Sequence, residues 1–542
     1  MKRRVFLFGL DGASWNVLDR MIESGQMPNL QRLCDEGVRA TLESTRPAIT
    51  PVAWSSLMAG VNPGKHGIFG FMKKTEKEGF QALMSNRMLI RVPTIFDYYS
   101  ESGRLISLNL PMSYPATEIN GLMVTGMMTP LRSLGDFEYP SGLLKRFSDN
   151  GIDYVIDPRM DEPEDIEAGD MFEGWFASGS EFVKKLSTIA DNRMKATHLL
   201  LEQESWDVFI CVIVGTDRLQ HLHWDKILPD DGSDPDPIVA QYYHGIDNHI
   251  GKLIDKLDSE DSLLIVSDHG FAKLQGEFMT NEWLRRQGWI AQRQARRSLR
   301  YSLKLFLNKM GITRAKLSRF IGTQKIGKLQ EVASHIDWAN STAYLSGPFG
   351  IRINLKGRQA WGKIPPEQYE KTCEAIITAL KQLRDDKGQP VLQNVYKASE
   401  LYKGDAVSEA PDIVLTFRED NNYTAYAGEI GGDLFQPARG KSGDHRIDGI
   451  FVAWGGGIRN VAEELRFQIW DVLPTVMHLN QRPVPAVCDG RVLQEVLTDQ
   501  RDVEFDQNWR RFYTEKQEIR YDQAQVEEIT ERLKALGYVS DE

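Results

Sequence analysis

This chain of 542 residues is 41% hydrophobic and 26% charged, with a formal net charge of −11. At roughly 150 residues per domain, the length allows three to four units, or one large α/β core carrying insertions. That balance excludes wholesale disorder, a collagen repeat and a coiled-coil rod, and the acidic excess argues against a general nucleic-acid binder.

The opening MKRRVFLFGLDGASW imitates a secretory leader for a few residues only. Its apolar run, Val5 to Leu10, ends at Asp11 and is too short for a leader's hydrophobic region. No apolar stretch of about twenty residues occurs, so no membrane span is expected. Cys34, Cys211, Cys373 and Cys488 are widely scattered, which makes neither a disulfide framework nor a CxxC metal site. Together these features predict a cytoplasmic protein.

Five short runs bounded by turn residues, at 4–10, 104–110, 207–214, 262–267 and 449–455, are apolar on both faces and predict buried parallel strands. Helical-period segments such as Thr50–Gly60 and Asn192–Leu201 lie between them. The alternation predicts an α/β protein with a mainly parallel central sheet. Two gaps are too long for structureless loops. One, about 112–205, reads as an insertion within a first core part, 1–275. The other, 276–405, reads as an inserted cap or substrate region, after which the core resumes over 406–500.

Inside the second gap, Ala291 to Gln330 holds eleven Lys/Arg and no Asp/Glu. Leu303, Phe306, Leu307 and Met310 follow helical spacing there, with Arg296, Arg297, Arg300 and Lys304 interleaved. Such a basic amphipathic stretch, 291–330, fits peripheral contact with an anionic surface, and fits equally a solvated helical arm on an acidic protein. The tail, 501–542, is charged and helix-prone. Its apolar face (Val526, Ile529, Leu533, Leu536) predicts docking on the core, with Gly537 as a C-cap.

Ligands of open parallel sheets bind beyond the carboxyl ends of the strands. Asp11 follows the first run. Asp217 follows the 207–214 run, with His221 and His223 close behind. Asp268, His269 and Gly270 follow the 262–267 run, and His445 stands just before the 449–455 run. Taken alone, each is an ordinary turn or capping residue. Taken together, three carboxylates at one sheet edge repel one another unless a cation neutralises them. Mixed carboxylate and imidazole donors suit zinc or manganese, and paired ions ~4 Å apart are a recurring device of phosphoryl transfer. Thr50, in RPAITPVAWSSLMAG, is the candidate nucleophile: it reads as an N-cap with Pro51 at the first helical position, where unpaired N–H groups welcome an anion. No GxSxG elbow is present, and GKSG at 440–443 lacks the earlier glycine of a P-loop.

The blocks FGLDGASW, TPVAWSSLMAGVNPGKHGIFGF, GTDRLQHLHW, SDHGF and GDHRIDGIFVAWG resemble the alkaline phosphatase superfamily, in its type I phosphodiesterase/nucleotide pyrophosphatase branch. The nearest subgroup in appearance is that of predicted prokaryotic phosphohydrolases and phosphomutases. The resemblance implies a three-layer α/β/α sandwich with inserted cap regions. It implies two divalent metal ions, zinc first and manganese next, one held by Asp11, Thr50, Asp268 and His269, the other by Asp217, His221 and His445. The Asp-x-x-x-His spacing selects His221 over His223. Thr50 is then the covalent nucleophile of a phosphodiesterase-like hydrolase acting on a phosphate ester, through a phospho-threonine. Lys65, Asn109, Arg218 and Arg446 are candidate substrate contacts. Two alternatives stay open: a phosphomutase of the same superfamily, and a metal-stabilised protein that binds an anionic surface.

Overall fold

The computed structural model describes residues 3–75, 81–100, 102–130, 136–157, 179–292, 336–347, 349–427, 430–438, 440–513, 521 and 523–535. Nearly all of the basic segment predicted at 291–330, and Leu536 and Gly537 of the tail, lie outside the described residues.

The central sheet has nine strands: β1 (Val5–Leu10), β2 (Val38–Glu43), β3 (Leu105–Leu110), β4 (Gly121–Thr125), β5 (Glu138–Tyr139), β6 (Val208–Ile213), β7 (Ser262–Val266), β8 (Asp448–Gly455) and β9 (Val461–Gln468). Their order is β9–β2–β8–β7–β1–β6–β3–β4–β5. From β7 through β4 the neighbours are parallel, and β2 pairs in parallel with β9. The strand β8 departs from the expectation for the 449–455 run: it is antiparallel to both β2 and β7. The cause is local, because the strand Gly443–Arg446 just before it pairs antiparallel with Gly270–Lys273. The chain therefore re-enters the sheet at the edge that β7 has just left.

All of β1 is buried, with Val5 and Leu7 facing one core and Phe6, Phe8 and Leu10 the other. Each such side chain contributes about 1.5–3 kcal/mol when fully buried. The first core is closed by helices α1 (Thr50–Ala59), Val472–Leu479 and Gln523–Ala535, whose Ile529 and Leu533 are buried in it. The second is closed by Trp15–Glu23, Pro28–Glu36, α2 (Gly179–Gln203) and Pro237–Lys256. The result is a three-layer α/β/α sandwich. Ten residues of α1, all buried, are sandwiched within the first core, as expected of a helix apolar all round.

Two of the inserted stretches differ from their sequence reading. The short strands β4 and β5 fall within 112–205 yet complete the edge of the central sheet. Their few residues carry too little periodicity to read as strands. A second sheet, ordered Ala343–Leu345, Gly350–Ile353, Ile413–Phe417, Leu392–Lys397, packs with the helix Tyr369–Lys381 around Ile351, Ile353, Ile376, Leu380 and Leu415. It extends past 405 to Phe417, since Ile413–Phe417 completes it as an interior strand. This second unit reaches the core through Lys403, whose backbone exchanges two hydrogen bonds with the Asn62 side chain (2.9 and 3.0 Å). The Tyr402 hydroxyl also donates to the Arg46 carbonyl. Among the described residues no helix is long and apolar enough to cross a membrane.

Candidate metal centre

Register brings the candidate ligands to one edge. Leu10 lies opposite Ile213, and Gly9 opposite Val266. Asp11, the helix α3 (Gly215–Ile227) carrying Asp217 and His221, and the pair Asp268–His269 therefore all emerge together. His445 arrives from the other direction on Gly443–Arg446, opposite Phe271. Asp11, Thr50, Asp217, His221, Asp268, His269 and His445 converge, and none is more than 4% exposed.

Each carboxylate is held through one oxygen and presents the other. Trp54 Nε1 donates to Asp11 Oδ2 at 3.1 Å. The Gly12 amide donates to Asp268 Oδ1 at 3.0 Å. Arg218 Nη1 stands 3.4 Å from Asp217 Oδ2. Gly12 can offer its amide because its φ is +68° and it has no Cβ, which would sit 2.7 Å from the Phe271 ring.

The imidazoles repeat the pattern. Nδ1 of His221, His269 and His445 faces the carbonyl of Gly443 (3.0 Å), Gly270 (3.2 Å) and Ala48 (2.9 Å) respectively. A carbonyl only accepts, so each Nδ1 carries the proton and each Nε2 is turned inward. His269 Nε2 lies 3.2 Å from Asp268 Oδ2 and 3.9 Å from Asp11 Oδ1. His445 Nε2 lies 3.2 Å from Asp217 Oδ1 and 2.9 Å from His221 Nε2. Phe271 packs its ring against all three imidazoles, with centroids 4.7, 5.1 and 5.8 Å away, and so walls the centre with apolar surface.

Six presented atoms thus face one another in overlapping groups: Asp11, Asp268 and His269; Asp217, His269 and His445; and His221 and His445, with Asp444 beside them. Asp11 Oδ1 and Asp268 Oδ2 are buried with no hydrogen-bond donor among the described residues. Burial, with the charges of Asp268 and Asp217, pushes the Asp11 carboxyl well above its ordinary range. Burial, partly offset by the Gly12 amide and reinforced by Asp217, pushes Asp268 up to about 7. Burial lowers His221 to about 3 and holds His269 well below its ordinary value, which keeps both rings neutral. Burial also acts to raise Asp217, but His221, His445 and Arg218 outweigh it and hold that carboxyl well below its usual range. Buried acceptors turned toward one another in this way fit divalent cations.

Thr50 Oγ1 stands 3.4 Å from His269 Nε2. The helix begins one residue earlier than its sequence reading: Ile49 is the N-cap and Thr50 the first helical residue. A shift of that size is usual at helix ends. It alters the anion argument, because Pro51 has no N–H and the amides of Val52 and Ala53 both donate to the Ile49 carbonyl. The amide of Thr50 itself is what the first turn offers an anion.

The remaining predicted residues are placed differently. Arg218 is buried and also 3.3 Å from Asp157, behind Asp217. The Lys65 ammonium is taken by Asp489 (2.6 Å) and the Val487 carbonyl. Asn109 donates to the Ile156 carbonyl and accepts from the Tyr154 hydroxyl. Arg446 turns its guanidinium to the carbonyls of His445 and Arg418. His223 sits at a kink in α3 against Phe182, away from the ligands. Three further neighbours border the site: Trp54, Phe271 and Asp444, whose Oδ1 is 4.0 Å from His221 Nδ1. All three lie inside the quoted sequence blocks, but residue type alone distinguishes none of them from core or turn positions.

A family model described as type I phosphodiesterase / nucleotide pyrophosphatase matches residues 5–448, a span that contains every converging residue. No curated protein matches the chain. In fold it is similar to phosphonoacetate hydrolase from Sinorhizobium meliloti 1021, solved with phosphonoformate and with phosphonoacetate. The TM-score is 0.54 and the identity 14%, over 89% of this chain and 95% of that one. Human ectonucleotide pyrophosphatase/phosphodiesterase 5 aligns with a TM-score of 0.49 and 14% identity, over 92% of this chain and 100% of that one. This chain belongs to the type I phosphodiesterase/nucleotide pyrophosphatase family.

Proposed function

We propose that the chain is a divalent-metal-dependent phosphoric ester hydrolase of phosphodiesterase type, with Thr50 as its nucleophile. The observation that carries this reading is the set of six presented acceptor atoms beside the Thr50 hydroxyl. Asp11, Asp268 and His269, with Thr50, would hold one ion, and Asp217, His221 and His445 the other. Imidazole and carboxylate donors in this mixture favour zinc, then manganese. Two such ions, when bound, neutralise phosphoryl oxygens and lower the pKa of a nearby hydroxyl.

The residues of the chain do the rest. Thr50 opens α1 with its amide and hydroxyl at the helix start, so one group could bind a phosphoryl oxygen while the other attacks. The Oγ1–P bond forms as the bond from phosphorus to the leaving oxygen breaks, and the hydroxyl proton leaves with the departing alcohol. Water then attacks the phosphorus of this phospho-threonine, which keeps the second ester group; the Oγ1–P bond breaks, a proton returns to Oγ1, and the phosphomonoester departs. Phe271 and the buried walls limit other water.

The test is an acid quench during turnover of a chromogenic phosphodiester, followed by peptide mapping. Phosphate still carrying the substrate's second ester group, on the peptide containing Thr50, is the expected result. Turnover with no phospho-threonine at any time would overturn the covalent route, and little free product despite phosphorylated Thr50 would indicate a mutase.

A further inference from the structure

Trp54 is fully buried and lies four residues, about one helical turn, after Thr50 on the same helix. Its indole nitrogen crosses to the end of β1 and donates to Asp11 Oδ2 at 3.1 Å. The ring reaches that far because β1 carries a glycine beneath it. A Cβ at Gly9 would stand 2.6 Å from Trp54 Cη2 and 2.9 Å from Val212 Cγ2. The other positions of that strand are all large apolar residues, so the gap and the indole fit each other.

A buried indole N–H needs an acceptor, and many carbonyls would serve. Here the acceptor is the one oxygen of Asp11 that is not presented to the centre. A carboxylate left with both oxygens unrestrained can chelate through both, or swing toward a neighbouring cation. Donation to Oδ2 removes both options and leaves Oδ1 as the single ligand atom. Because Trp54 and Thr50 ride on one rigid helix, the same bond sets the distance between nucleophile and first ion.

We propose that Trp54 is a positioning residue of the first metal site, fixing Asp11 as a one-oxygen ligand and coupling that ligand to the helix that carries Thr50. This rests on the metal reading given above.

The test uses the full chain in three forms: wild type, Trp54→Phe, and a variant with benzothienylalanine at position 54, which keeps the two-ring outline and replaces N–H by sulfur. Each is loaded with cobalt(II), titrated against a chelator, and followed by visible absorption and by steady-state kinetics. In both variants one of two ions is expected to bind about 10- to 100-fold more weakly, with an altered visible band, while the other is unchanged. Turnover is expected to fall about tenfold or more while KM stays within about twofold, since binding of substrate is not what the indole sets. Wild-type affinities and spectra in the benzothienylalanine form would overturn the proposal and leave Trp54 as a filler of space. A wild-type protein that takes up no ion overturns the metal reading and this proposal with it.

Discussion

The two proposed halves of the centre are made of different material. Asp11, Asp268 and His269 stand at the ends of neighbouring parallel strands, and among the described residues no lysine or arginine pairs with either carboxylate. Asp217 and His221 share one helix, His445 comes from an antiparallel strand, and Arg218 with Asp157 backs the single carboxylate. The first half is two buried carboxylates that burial, with the charge of Asp217 across the centre, pushes toward protonation. The second has Asp217 held ionised beside two imidazoles, with Asp444, held low as well, behind His221. Identical ions would therefore meet different competition from protons in the two places.

The largest effect belongs to the first half. Thr50→Ala should lower turnover by about a thousandfold or more while elemental analysis still finds both ions, and Thr50→Ser should keep measurable activity. Near-native turnover in the alanine variant would detach the nucleophile from that half. Next come Asp268→Asn and Asp217→Asn, each expected to reduce metal content from about two per chain to about one, and activity with it. Loss of both ions from either variant would show that the halves are not separable.

Arg218→Leu sharpens the contrast. It breaks a buried charged cluster, which should cost about 3–5 kcal/mol of folding stability in the metal-free protein, read by denaturant melting. It should also move Asp217 upward, since Arg218 is one of the groups that hold that carboxyl down. The smallest effect is the proton sensitivity of the first half. Below about pH 7 the Asp268 carboxyl holds a proton that an incoming ion must displace. Affinity for the first ion should therefore fall roughly tenfold per pH unit as pH drops through that value. His221 is neutral above about 3 and Asp217 is ionised, so the second ion should hold over pH 6–8. Calorimetry at pH 6, 7 and 8 separates the two, and parallel pH dependence would break the comparison.

The residues of the first half were the easier ones to find. Asp11, Asp268 and His269 follow apolar runs, and the strand-end rule points straight at them. His445 was visible beside the 449–455 run, but a parallel reading of that run sends it to the far edge of the sheet. Only the antiparallel entry of β8 places it with the rest. What holds each ligand was hidden for a different reason. The partners of His221, His269 and His445 are main-chain carbonyls, which leave no mark on residue type. Lys65 and Asn109 have chemistry suited to a phosphate contact, and in this structure they meet Asp489 and the Ile156 carbonyl. At Thr50, residue preference favours a threonine cap before Pro51, while the backbone turns helical one residue earlier, at Thr50 itself.

Anomalous diffraction from crystals grown with zinc tests the central claim most directly. Two peaks about 4 Å apart are predicted, one bounded by Asp11, Asp268, His269 and Thr50, the other by Asp217, His221 and His445. A single peak shared by all seven residues, or no peak among them, would contradict the account.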